Sequence, residues 1–136
     1  MRWYSILTLV LPALLLVGCG SNTRQGLADD AIAEITAMSS ALHELKDDAG
    51  FQSVLEQFNN NVTYFADLAK RSKPMPPMTS SGAKKLSKEI ENVERNLSAQ
   101  IDSPNEYLKA NADKHKQLKE AYTKMQASLE IMKRGN

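Results

Sequence analysis

The sequence predicts an all-α protein: an antiparallel up-down four-helix bundle, built from two helical hairpins, after a cleaved signal helix. Three observations lead there. From Leu27 onward apolar residues recur every three or four positions, the spacing of one helical face, and no stretch sustains the alternation of a strand. A proline-rich stretch, Lys73-Pro74-Met75-Pro76-Pro77-Met78, divides the pattern near its middle. The length of 136 residues, 42% hydrophobic and only 6% aromatic, suits one domain with a modest aliphatic core.

The first element is the N-terminal segment. Arg2 is the only charge in residues 1–18, and an apolar run extends to Val17. Counted from Trp3 it would be about 22 Å long as a helix, short of a bilayer core of about 30 Å, which suits an export signal better than a permanent span. The run closes in Leu16-Val17-Gly18-Cys19, which holds the chain's single cysteine. This tetrapeptide resembles the lipobox of bacterial lipoproteins. The resemblance covers the first 19 residues. It implies recognition of Leu16, Val17 and Gly18 by the signal peptidase, cleavage before Cys19, a thioether-linked diacylglycerol on Cys19 and fatty acylation, palmitate for example, of the new amino group. A thiolate is a good nucleophile for such an alkylation, and two or more acyl chains hold stably in a bilayer. With Gly20 after the cysteine, the resemblance implies outer-membrane attachment facing the periplasm. Residues 19–26 then read as a flexible tether and residues 27–136 as the bundle.

The four helices follow. Leu27, Ala31, Ile32, Ile35, Met38, Leu42, Leu45 and Ala49 form one stripe, with Asp29, Asp30 and Glu34 near the start, where the helix dipole favours acids, and Gly50 as a stop. Phe51, Val54, Leu55, Phe58, Val62, Phe65, Leu68 and Ala69 form a second, closed by Lys70 and Arg71. The prolines of 73–78 cannot continue it, because they lack donors and clash with the preceding turn. Thr79, Ser80 or Ser81 can cap a third helix with the stripe Ala83, Leu86, Ile90, Val93, Leu97 and Ile101. Ser103-Pro104-Asn105-Glu106 reads as a capping box, with Ser103 as N-cap and Pro104 at the first helical position. The fourth stripe is Leu108, Asn111, His115, Leu118, Tyr122, Met125, Leu129 and Met132, stopped by Gly135.

Charge gives a net +1, without the basic surplus that binding nucleic acid requires. Its distribution is uneven: residues 19–69 hold two basic and eight acidic side chains, residues 70–136 fourteen basic and eight acidic. Two hairpins of opposite sign complement each other in one bundle. The alternative is a basic face of Lys84, Lys85, Lys88, Lys109, Lys114, Lys116 and Lys119 that meets anionic lipid or an acidic envelope protein.

No motif identifies a reaction. The two histidines, His43 and His115, lie in different stripes, and the acidic pairs Asp29-Asp30 and Asp47-Asp48 diverge by about 100° on a helix. There is no nucleophile–base set, no phosphate loop and no Glu-x-x-His pair, so an enzyme is not expected. No cofactor is expected either. The chemical alternative is haem b or a metal held by Met38 and His115, if the first and fourth helices are antiparallel neighbours; proteins resembling cytochrome b562 use one Met and one His in such a bundle. Met75 and Met78 could offer thioethers to Cu(I), or pack on a bundle end. The expected role is a non-catalytic binding or structural helical module, anchored in the bacterial envelope.

Overall fold

Thr23 is extended, and its hydroxyl accepts the Gly26 N–H at 3.0 Å, which satisfies one of the free donors at the start of helix α1, Arg24–His43. The structure, a computed structural model, describes residues 23–134. Leu16, Val17, Gly18 and Cys19, and the expected stop Gly135, lie outside the described residues. The helix therefore begins within the stretch expected to be tether, with Arg24 buried and Gln25 bonded to Glu89 at 2.9 Å.

Helix α1 stops at His43, earlier than Gly50. Asp47 is extended and its carboxylate takes the Gly50 N–H at 2.7 Å, opening α2, Asp48–Ser72. Gly50 thus stands in a first turn, not at an end. A Cβ there would lie 3.1 Å from Asp47 Oδ1, so the glycine makes room for the cap. Residues 73–79 are not helical, as the prolines require. Thr79 then caps α3, Ser80–Asp102, through the Gly82 N–H at 3.1 Å.

The expected capping box at Ser103 does not form. Asn105 is the cap: its Oδ1 accepts from Leu108 N at 3.0 Å, and its Nδ2 donates to Leu45 O at 2.8 Å. The amide carries a donor and an acceptor on separate atoms, so Asn105 starts the short α4, Glu106–Lys109, while satisfying a carbonyl after α1. The chain breaks at Ala110 and Asn111, and α5, Ala112–Lys133, completes the fourth stripe.

The described chain is all-helical, with five helices packed on one another. α2 lies mainly against α5 and α1, and α3 mainly against α1 and α5. Gln25–Glu89 and Ser39–Gln100 show α1 and α3 running in the same direction. Asp48–Lys114 puts the starts of α2 and α5 at one end, and His115–Ile101 sets α5 against the finish of α3. One end, here the base, therefore collects the starts of α1 and α3, the finishes of α2 and α5, and the 73–79 linker. The other end, the head, holds the 44–47 turn and α4.

Phe51, Phe58 and Phe65, seven residues apart on α2, are each 1% exposed or less. That spacing keeps one side of α2 in contact with its neighbours along its whole length, and each buried ring contributes roughly 1.5–3 kcal/mol. Leu27, Ile35, Met38, Leu86, Ile90, Leu97 and Leu118 close the core around them.

Candidate functional site

The base is assembled by Arg24. Its Nε donates to Pro76 O at 3.0 Å and its Nη2 to Met75 O at 2.9 Å, pinning the proline linker beneath the start of α1. Prolines leave carbonyls without helical partners, and a guanidinium fork is the side chain suited to take two of them. Met75 and Met78 pack half-buried against the core, and with Thr23, Arg24, Gln25 and Pro76 they line a cleft of about 310 Å3.

The charge at this end is of one sign. Residues 23–28, 68–88 and 131–134 carry Arg24, Lys70, Arg71, Lys73, Lys84, Lys85, Lys88, Lys133 and Arg134, and no acid. Arg71 pairs with Asp67 at 3.6 Å, Lys85 with Glu89 at 3.9 Å, and Lys133 with Glu130 and Glu94, all acids one level further in. Lys70, Lys73, Lys84, Lys88 and Arg134 are exposed and make no ion pair among the described residues.

The expected basic face is thereby split. Lys84, Lys85 and Lys88 lie in the first turns of α3 at the base, whereas Lys109, Lys114, Lys116 and Lys119 lie in α4 and the first turns of α5 at the head. With His115 level with Ile101, the two groups are roughly 15–25 Å apart along the bundle. Lys109 pairs with Glu106 at 3.3 Å. Lys114 is consumed by a cluster: it donates to Asp48 Oδ1 at 2.6 Å and to the Tyr107 hydroxyl at 2.9 Å. The hydrogen bond from Lys114, and a second from Tyr107, hold the Asp48 carboxyl below its ordinary range, and the same Asp48 contact raises Lys114. Lys116 and Lys119 stay exposed, on the rim of a shallow hollow along α5.

Met38 and His115 are not brought together. Met38 is fully buried in the core of α1, while His115 Nε2 lies 2.6 Å from Ile101 O, bonded to the last turn of α3. α1 and α5 are not principal neighbours, each packing chiefly on α2 and α3. The direct neighbourhood of the first and fourth stripes expected from sequence does not arise, because α2 and α3 are the principal partners of both helices.

One polar group escaped the sequence reading. Glu94, on α3, faces α5, its side chain only 12% exposed; Lys133 reaches it at 3.3 Å, and its Oε1 has no partner among the described residues. Burial raises the Glu94 carboxyl, with Lys133 opposing. With Glu91, Arg95, Ser98, Tyr122 and Gln126 it lines an open groove of about 250 Å3. Among the described residues no three His, Cys, Asp or Glu side chains gather as a metal site would need, and no helix is long and apolar enough to cross a membrane. No family model matches the chain, and neither a curated protein nor a solved structure matches it, so the side chains themselves carry the functional argument.

Proposed function

We propose that this chain is a lipid-anchored protein of the bacterial envelope whose folded part, two helical hairpins packed as a bundle, is a non-catalytic binding or structural module. The observation that carries the reading is Leu16-Val17-Gly18-Cys19 at the end of a short apolar run, with the cap of α1 at Thr23. After cleavage before Cys19, only Gly20, Ser21 and Asn22 separate the lipidated residue from the first cap. The folded part would then stand directly on the bilayer, attached at the outer membrane on its periplasmic side, with exposed helical faces turned to an envelope partner.

Membrane fractionation of wild type and Cys19→Ala tests this. The anchored chain should sediment with membranes and carry the mass of a diacylglyceryl group, and Cys19→Ala should release it or leave the leader uncleaved. A soluble wild type with an unmodified thiol would sink the proposal. The haem alternative is not carried forward, since His115 Nε2 is engaged by a backbone carbonyl and Met38 is enclosed in the core.

A further inference from the structure

We infer that the base of the bundle is a contact surface for anionic lipid headgroups, formed by Lys70, Lys73, Lys84 and Lys88 around the 73–79 linker, and that it sets the molecule upright on its membrane. The inference rests on the lipid-anchor reading, which makes the base the end nearest the bilayer. Three observations converge on it.

The first is reach. Four Cα–Cα steps separate Cys19 from Thr23, so however the intervening residues run, the start of α1 lies within about 14 Å of the acylated residue. That is an upper bound of less than two Debye lengths at physiological salt, and lysine side chains reach a further several ångströms toward the headgroup charge.

The second is sign. Nine basic side chains and no acid occupy the three segments that meet at this end. Hairpin pairing does not account for them, because the nearby acids Asp67, Glu89, Glu94 and Glu130 are already matched to Arg71, Lys85 and Lys133. Lys70, Lys73, Lys84 and Lys88 are left exposed. The head is mixed: Glu44, Asp47, Asp48, Asp102, Glu106 and Asp113 stand there beside Lys46, Lys109, Lys114, Lys116 and Lys119, and Lys114 and Lys109 are spent on ion pairs. An anionic surface therefore attracts the acid-free base more strongly than the nearly balanced head, which produces orientation as well as binding.

The third is rigidity. The linker that carries Lys73 is tied to α1 through both Arg24 hydrogen bonds, and Thr79 caps α3 directly after it. The lysines of α2, the linker and α3 are thus presented together, where a free loop would lose entropy on adsorbing.

The test uses the full-length protein, purified from membranes and reconstituted in vesicles of phosphatidylcholine alone or with phosphatidylglycerol. Lysine acetylation is followed by peptide mass spectrometry. With the anionic lipid, Lys70, Lys73, Lys84 and Lys88 should react at least about threefold more slowly than on neutral vesicles, Lys46, Lys116 and Lys119 at the head should not change, and salt near 0.5 M should erase the difference. The double variant Lys84→Glu, Lys88→Glu, confined to exposed positions, should lose the protection of Lys70 and Lys73 as well. Equal rates on both vesicle types, or equal slowing of base and head, overturns the inference. The intact mass of the same preparation separates the two claims. A lipid adduct with unprotected basal lysines leaves the anchor standing and removes the headgroup contact. A missing adduct with salt-sensitive protection does the reverse.

Discussion

Lys114 and Asp48 close the head of the bundle: the ammonium meets the carboxylate at 2.6 Å and lies 5.4 Å from the ring centroids of both Phe51 and Tyr107. One cation thereby ties the start of α2 to α4 and the start of α5, elements far apart in sequence. The Tyr107 hydroxyl donates to the same Asp48 oxygen at 2.5 Å, so the carboxylate is held by two donors. The head is latched by charge; the base, held by Arg24 to neutral carbonyls, keeps its charge for something else.

The latch predicts an acid-sensitive head. Asp48 is held below its ordinary 3.8, so the stabilisation is present above that value and is lost as pH falls through the lower folded value. Asp48→Asn should lower the melting temperature at pH 7 and have a much smaller effect near pH 2. Melts of both proteins at the two pH values check this, and an equal loss at each would show that the charge is irrelevant.

Glu94 predicts the opposite sign. Burial raises its carboxyl, so its contribution favours the fold below the unfolded value of 4.5 and declines as pH rises through the folded one. Lys133→Met removes the ammonium that offsets this burial. It should cost about 3 kcal/mol at pH 7, where a buried charge is left unpaired, and far less at pH 4. Denaturant unfolding at both pH values would measure it; a pH-independent loss would assign Lys133 a packing role alone.

Arg24→Ala should free the linker. Loss of two charge-assisted hydrogen bonds to Met75 O and Pro76 O predicts a destabilisation of about 1.5–3 kcal/mol per the usual worth of such bonds. Faster hydrogen exchange should appear at Met75, whose N–H bonds to Ser72 O, with no change at the head. Unchanged exchange in the linker would show that proline stiffness alone holds it.

Two core substitutions separate packing from chemistry. Phe58→Ala should cost about 3–5 kcal/mol, by cavity formation. Met38→Leu conserves volume and should cost less than about 1.5 kcal/mol, because the thioether is core filling. A Met38→Leu protein that folds but loses a Soret band present in wild type would restore the haem reading.

What was legible in the sequence was periodic. The stripes through Leu86, Ile90, Leu97 and Ile101, or Leu118, Tyr122, Met125, Leu129 and Met132, are buried as their spacing requires, because burial of one helical face is a local consequence of 3.6 residues per turn. The stop at the prolines was equally local. A cap pattern was legible but read only at Thr79: Thr23, Asp47 and Thr79 each precede a glycine by three residues, at Gly26, Gly50 and Gly82, and each accepts that glycine's N–H. Read as caps, they would have placed the start of α1 inside the supposed tether and the start of α2 ahead of Gly50.

The candidate site depended on helix order in space. The acid-free run 68–88 could be seen in the chain, but Arg24 and Arg134 join it only because the start of α1 and the finish of α5 arrive at the same end. Lys114 looked like one more surface lysine until Asp48, 66 residues away, met it. Asn105 prevailed over Ser103 as a cap because a carbonyl 60 residues earlier needed its amide. The all-helical class, the buried stripes, the linker and the lipobox resemblance are written in the chain alone, since each depends on neighbours within a turn or a short segment. Tertiary structure alone decided which lysines stay free, which cap wins and that Met38 and His115 stand apart, since each depends on distances between helices that no local spacing encodes.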